Sequence, residues 1–249
     1  MILGSQFYSL RTKTQTAEGL EEAFAKTKEM GYHAVQLSTI GKDIPADFIK
    51  GLVDKYGLPV ACTHTDPMRV ILDTDAVIAD HKLWGCDEIG IGCFPVRPMT
   101  EGRETSFIEA LREPIRKIKA AGLTLAYHNH AFEFEDGKDF LARLAKELPD
   151  LNFILDVYWL TKAGKDPVAY MKGLAGRVKN LHFKDMSKDE DGKICVCGEG
   201  RIDFLPIALA AEEIGVKYGL VEQDNAPDLG DPYEQMAKSC RHMTPIVYR

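Results

Sequence analysis

Short apolar runs alternate with longer amphipathic segments along the whole chain, and glycines mark the passage from one to the other. "GYHAVQLS", "GLPVACTH", "GCDEIGIG", "GLTLAYHNH", "GRVKNLHFKD" and "GVKYGLVEQD" share one form. Each has a glycine, a short β-rich apolar run close behind it, and then polar residues. The segments before them have helical periodicity. In "TAEGLEEAFAKTKEMG", Leu20, Phe24, Thr27 and Met30 recur at spacings of three and four, with Thr16 placed to cap and Gly31 to terminate. "PADFIKGLVDKYG" stacks Ile49, Leu52, Val53 and Tyr56 in the same way and ends at Gly57. "SFIEALREPIRKIKAAG" ends at Gly122, and Pro114 within it predicts a kink or a helix restart.

Adding "ILGSQFYSL" and "LNFILDVYW" brings the strand candidates to eight. Helices are expected near 17–30, 46–56, 74–84, 105–121, 138–147, 167–175, 204–214 and 232–243. Strands that are apolar without alternation, separated by helices, describe a parallel sheet covered on both faces. Eight such units in 249 residues fit a closed (β/α)8 TIM barrel better than an open sheet. The pattern shows no interdomain linker, so residues 1–249 read as one domain. The stretch "MSKDEDGKICVCGEGRIDF" reads as a long loop after the seventh strand.

Composition narrows the class. A hydrophobic content of 45% with 28% charged residues suits a soluble globular protein. A formal charge of −7 argues against a protein that tracks phosphate backbones, so no nucleic-acid partner is expected. The six cysteines have no disulfide-framework spacing, "MILGSQFYSLRTKTQ" lacks a leader-like apolar stretch, and no run is long enough to cross a bilayer. These features predict a reduced, cytoplasmic, enzyme-sized protein without a membrane partner. Cys195 and Cys197 form a CxC pair with no second pair to complete a soft-metal site, so they read as loop thiols.

In a barrel the βα loops build the active site at the C-terminal ends of the strands, so the polar residues there are the ones to collect. They are Gln6 and Tyr8, Gln36, His64 with Asp66, then His128, His130 and Glu133, Asp156, His182 with Lys184 and Asp185, and Glu222, Gln223 and Asp224. Glu88, ahead of "IGIG", falls at the wrong end of its strand. Several carboxylates and imidazoles meeting at one barrel mouth would repel and titrate upward unless a cation sat among them. This predicts one divalent ion (Mn²⁺, Mg²⁺, Co²⁺ or Zn²⁺) held by Glu133 or His128 with Asp156, His182 and Glu222.

"YHNHAFEF", "LDVYW", "LHFKDM", "GEGRIDF" and "LVEQD", spread over nearly the whole chain, resemble the xylose isomerase-like TIM-barrel superfamily of sugar and sugar phosphate isomerases and epimerases. The resemblance implies a divalent metal on a Glu, an Asp, a His and a second Glu from the last four strands. These map to Asp156, His182 and Glu222, with Glu133 as the first carboxylate. Epimerases of the group carry that first Glu directly at the end of strand five, where this chain has His128. The implied chemistry is metal-assisted enolisation of a carbohydrate substrate, phosphorylated or free. Isomerisation or epimerisation follows if the proton returns, and elimination if a β-oxygen leaves, as in relatives that dehydrate inososes or cleave 3-keto-glycosides. His128 or His130 would be the base, Glu222 could double as ligand and base, and Lys184 would hold a substrate oxygen or stabilise the enediolate. A homodimer is common in such barrels.

Blander readings stand beside these. His128 and His130 also suit a satisfied polar layer under the rim, and His64 is either a core histidine or a substrate contact. Trp159, with Tyr158, is a sugar-face wall or ordinary packing, and Arg201 is an anion contact or a surface arginine. Glu135 reads as a solvated loop charge, Asp185 and Asp224 equally as direct ligands or as partners of the ligands, and His33, His81 and His242 as chemically idle. A lyase acting on a keto-cyclitol or 3-keto-glycoside is the alternative to the isomerase, and the "HNH" in place of a strand-end Glu favours it. Endonuclease IV-type repair and non-catalytic sugar binding are both disfavoured, the first by charge and histidine placement, the second because every ligand position is filled.

Overall fold

The computed structural model describes all 249 residues. Eight parallel strands form the barrel: β1 (Ile2–Gln6), β2 (Ala34–Ser38), β3 (Val60–His64), β4 (Glu88–Ile91), β5 (Thr124–His128), β6 (Leu151–Asp156), β7 (Val178–Phe183) and β8 (Tyr218–Val221). Sheet order is β3-β2-β1-β8-β7-β6-β5-β4, with every pair parallel. The seam between β3 and β4 is bridged by Thr65 and Ile91, with Thr65 N–H donating to Gly90 O at 2.7 Å. The barrel is therefore nearly closed, and all eight expected strands are present.

The helices follow the periodic segments, with differences at the ends. Thr16 Oγ1 accepts from Gly19 N at 3.1 Å and caps the helix Ala17–Met30, which stops at Gly31 in the left-handed region (φ 97°). The helix expected from 105 begins at Glu101, because Thr100 supplies its cap, and it runs unbroken through Pro114 to Ala120. Two short helices were hidden in the polar strand ends. Pro67–Leu72 starts on Asp66, whose Oδ1 accepts from Met68 N at 2.8 Å, and Val157–Lys162 starts on Asp156, whose Oδ1 accepts from Trp159 N at 3.1 Å.

Strand parity sorts the residues into two populations, because successive side chains point to opposite faces. Leu3, Val35, Ile89, Ile91, Leu125, Tyr127, Phe153, Leu155, Leu181 and Phe183 face the helices and join a core of 55 buried residues. The other parity points into the barrel in layers. Glu88 lies in the lowest layer, held by Asn152 Nδ2 (2.9 Å), Asn180 and Thr124 Oγ1 (3.2 Å), so it is far from the strand ends that build a site. Burial raises its pKa above the usual carboxylate range.

The middle layer is built mostly of small residues: Gly4, Ala34, Cys62, Gly90 and Ala126, packed around Ile154 and Leu220. Above it comes the polar layer: Gln6, Gln36, His64, His128, Asp156, His182, Lys184 and Glu222.

The long segment after β7 is tighter than a loop. Asp185–Met186 and Ile194–Cys195 pair as a short antiparallel ribbon. The buried Asp185 carboxylate then gathers the "CGEGRI" backbone around itself. Oδ1 accepts from Met186 N (2.7 Å) and Ile202 N (3.1 Å), and Oδ2 accepts from Gly198 N and Gly200 N (both 2.9 Å). Asp185 is thus a structural anion in a backbone nest and not a partner of the metal ligands. Cys197, also buried, donates its thiol to Phe183 O at 3.2 Å, in keeping with a loop thiol.

A β-carbon at Gly90 would lie 2.0 Å from Thr63 O and 2.7 Å from Ile154 Cδ1, whereas one at Gly51, in the helix Ala46–Tyr56, meets nothing within 4 Å. Gly90→Ala should therefore lose about 2–4 kcal/mol in urea unfolding through overpacking. Gly51→Ala should gain about 0.5–1 kcal/mol by removing glycine from a helix interior. Equal, small effects at both positions would contradict the packed middle layer.

Candidate active site

Four ligand-type side chains from four strands meet at the C-terminal end of the barrel. His128, Asp156, His182 and Glu222 each bring a nitrogen or oxygen to within 4.8 Å of the others, and all four are buried. The turns that follow the strands aim them. Asp156 spends Oδ1 on its helix cap and has Oδ2 left for the site. Gln6 does the same at β1: its Oε1 accepts from Tyr8 N, and its Nε2 donates to Glu222 Oε1 at 2.9 Å.

Both imidazoles are held in one tautomer by acceptors behind them. His128 Nδ1 lies 3.1 Å from Gly92 O, so it carries the proton and Nε2 presents a lone pair, 3.5 Å from Asp156 Oδ2. Gln36 turns its amide nitrogen to Thr63 O (3.5 Å) and its oxygen to His182 Nε2 (2.7 Å). His182 Nδ1 then faces Glu222 Oε2 at 2.8 Å and Asp156 Oδ2 at 3.7 Å, and against the effect of burial these two carboxylates raise its pKa. Two ring nitrogens thus converge on two carboxylate oxygens, and none of the four atoms has a directed hydrogen bond. Donor atoms facing donor atoms in a buried site call for a positive charge between them.

Lys184 supplies one positive charge. Its buried ammonium lies 3.0 Å from Asp156 Oδ2 and 2.9 Å from both Glu222 Oε2 and Asp224 Oδ1. Burial acts to raise the pKa of Asp156 and Glu222, but the Lys184 ammonium overrides it and holds both well below the carboxylate range. Asp224 is pushed up to about 6, by burial first and against the pull of Lys184, with Glu222 adding to the rise. Three carboxylates against one ammonium leave a charge of −2, which one divalent ion would neutralise. The mixed imidazole and carboxylate set suits Mn²⁺, Co²⁺, Zn²⁺ or Mg²⁺. The donor set therefore fits the metal expected from the sequence, with His128 at the first position.

Glu133 is directed elsewhere. Its Oε1 accepts from Tyr127 OH and its Oε2 from His130 N, both at 2.8 Å, so it ties the turn after β5 and is not one of the four converging side chains. A helical turn, Phe132–Gly137, begins just before it and swings it away from the axis of β5. The middle residue of "HNH" also has a structural task. Asn129 Oδ1 accepts from Asp156 N at 2.9 Å, and its Nδ2 donates to Asp156 O at 3.4 Å, which clamps the end of β6 to β5.

A cavity of about 400 Å³ opens above the four ligands, lined by Tyr8, Ser38, His64, Thr65, Asp66, Cys93, His130, Lys184, Glu222 and Asp224 among others. His64 Nδ1 receives the Gln6 amide at 3.4 Å, which leaves Nε2 protonated and without a partner. His130 stacks on Phe132 and lies 5.3 Å from the Trp159 ring, with Nδ1 also unpartnered. Trp159 carries the Lys184 ammonium 5.3 Å over its ring.

Gln36 stands behind His182 and outside the cavity. Arg201 is exposed, with its guanidinium on Met186 Sδ at 2.7 Å, and does not line the cavity. His81 is a satisfied core histidine between Thr63 Oγ1 (2.8 Å) and Val77 O (2.7 Å). Gly92, absent from the residues picked out by sequence, is required twice. Its carbonyl orients His128, and a β-carbon on it would fall 2.9 Å from His64 Cγ.

A parallel (β/α)8 barrel with a divalent-metal type of donor set at its C-terminal mouth describes the class of TIM barrels that carry a metal-type site. The comparisons place the chain within it. The xylose isomerase-like TIM barrel model matches residues 24–246, and the chain belongs to that family. Among curated relatives, inosose dehydratase from Lacticaseibacillus casei is 26% identical over 155 residues, covering 55% of this chain and 51% of that protein. Inosose dehydratase from Geobacillus kaustophilus is 28% identical over 175 residues, covering 61% and 56%. The matches span about half the length of these relatives. A sugar phosphate isomerase/epimerase from Parabacteroides distasonis superposes with a TM-score of 0.83 over 98% of this chain and 94% of its own, at 22% identity, a likeness of fold. Those curated relatives are dehydratases, and the structure of like fold is an isomerase/epimerase, each a property of that protein. No helix is long and apolar enough to cross a membrane.

Burial, partly offset by the Tyr127 hydrogen bond, pushes the Glu133 carboxyl from 4.5 up to about 7. Its proton is bound more tightly in the folded chain, so this contribution to stability is full below about pH 4.5 and is lost as pH rises through about 7. Between about pH 5 and pH 8, wild type should lose on the order of 1–3 kcal/mol relative to Glu133→Gln. Urea unfolding of both proteins at the two pH values checks this, and a pH-independent difference would show an ordinary carboxylate at 133.

Proposed function

We propose that the protein is a metal-dependent lyase that enolises a keto-polyol, either a keto-cyclitol or a 3-keto-glycoside, and eliminates the β-oxygen substituent. The observation that carries this reading is His128. Inverting one carbon requires bases on both faces of it, and the strand-five position that holds a carboxylate in epimerases is here an imidazole. That imidazole is tied through Nδ1 to Gly92 O and turns its other nitrogen to the ligand cluster. A single base that accepts the proton and returns it to the leaving oxygen is the minimum that elimination needs. The inosose dehydratases among the curated relatives support the same reading.

A divalent ion on His128, Asp156, His182 and Glu222 would supply Lewis acidity to a ketone and its neighbouring hydroxyl. The remaining steps belong to side chains. His130, whose ring lines the cavity, takes the proton from the carbon next to the ketone. The C–O bond one carbon further breaks, and the imidazolium that His130 has become gives that proton to the departing oxygen, so water or an alcohol leaves and the base is restored. Trp159 and Phe132 hold the His130 ring from two sides and fix its aim. The buried walls, with Tyr158 OH closed onto Gly192 O at 3.0 Å, keep water from quenching the enol stage early.

In D₂O with Mn²⁺, proton NMR of myo-inososes and 3-keto-glycosides should show loss of water or aglycone, with an enone absorbing in the ultraviolet. His130→Asn should lower kcat by roughly 10²–10⁴-fold while leaving Mn²⁺ binding in place. Deuterium uptake with interconversion of epimers and no leaving group would instead assign the isomerase/epimerase reaction.

A further inference from the structure

The Lys184 ammonium occupies the same oxygens that a metal would need. It lies 3.0 Å from Asp156 Oδ2 and 2.9 Å from Glu222 Oε2, and these are the two oxygens toward which the His128 and His182 ring nitrogens point. A third carboxylate, Asp224, meets the ammonium at 2.9 Å and stands apart from the converging four. Asp156 is fully buried, whereas the Asp224 side chain is 27% exposed at the cavity wall, so the two lie on the inner and outer sides of the ammonium. None of the three oxygens is met along a hydrogen-bonding direction. The ammonium is shared among three carboxylates at once, on a flexible stem with the Trp159 ring 5.3 Å away.

We propose that Lys184 is an internal cation that competes with the divalent ion for Asp156 and Glu222, and that Asp224 is the acceptor that takes the ammonium when the ion binds. The proposal rests on the metal-dependent reading above. In the ion-free protein, Lys184 keeps two buried carboxylates from repelling each other and preserves the shape of the site. Ion binding moves the ammonium outward by a side-chain rotation onto Asp224, where it lies at the cavity wall beside the substrate. Site charge passes from −2 to zero, so the ion and the lysine coexist without expelling a proton. Lys184 and Asp224 are positioning residues in this scheme, because they act through the ligands.

Isothermal titration with Mn²⁺ on the full chain tests this without any substrate. Lys184→Met should bind Mn²⁺ at least about tenfold more tightly than wild type, and Asp224→Asn about tenfold more weakly. The double variant Lys184→Met/Asp224→Asn should match Lys184→Met, because Asp224 acts only on the lysine. Should Asp224→Asn weaken binding equally in both backgrounds, Asp224 is a plain through-space charge and the proposal is overturned. Wild-type affinity in all three variants also overturns it, while leaving the metal site intact. No binding in any of them removes the metal reading itself.

The rise in Tm on adding Mn²⁺ gives a second reading, larger in Lys184→Met than in wild type. If Lys184→Met cannot be purified, Asp224→Asn alone decides, since an unchanged Mn²⁺ affinity there contradicts the proposal.

Discussion

Everything at the mouth of this barrel is arranged around a shortage of positive charge. Two imidazole nitrogens and two carboxylate oxygens are aimed at one buried point, each held from behind by a bond that the ordinary course of the chain supplies. Gly92 O holds His128 and Gln36 holds His182, while Asp156 gives its other oxygen to a helix cap and Glu222 receives the Gln6 amide. Buried donors left facing one another would cost several kcal/mol, so the site is stable only with cations inside it. Lys184 supplies one of them, and the charge that remains is the size a divalent ion carries.

The barrel makes such an arrangement affordable. The interior layer below the site is almost entirely glycine, alanine and cysteine, filled by Ile154 and Leu220, so strands approach closely and their ends are rigid. Below that, Glu88 closes the other end by accepting hydrogen bonds from Asn152 and Asn180. The same inward parity carries small residues in the middle and ionisable ones at the top. Stability and chemistry are therefore separated along each strand by two residues.

Chain turns are reused as parts of the site. Asp66, Asp156 and Gln6 each close the first turn of the segment that follows them, which anchors one oxygen of each side chain to the backbone. Asp185 performs the corresponding task for the "CGEGRI" segment by collecting four backbone amides. Positioning a ligand by its own helix cap leaves it few ways to rotate away, a form of preorganisation.

The eight strands, their parallel sense and most helices were legible in the sequence, because burial on both faces writes unbroken apolar runs and glycines end the helices. The strand-end rule also collected Asp156, His182, Glu222, His128 and Lys184 in advance. Three-dimensional packing decided what one-dimensional order cannot carry. Glu133 sits only five residues beyond His128, yet a helical turn carries it to Tyr127, whereas His64, distant in the chain, stands 4.9 Å from the His128 ring. Gly92 contributes a backbone carbonyl, which leaves no mark on the residue alphabet. Arg201 and Asp185 resemble functional charges until the loop that folds around Asp185 is seen. Strand periodicity is a local property of the chain and so can be read from it. Which acceptor stands behind an imidazole depends on contacts between distant strands, and only the closed barrel brings those together.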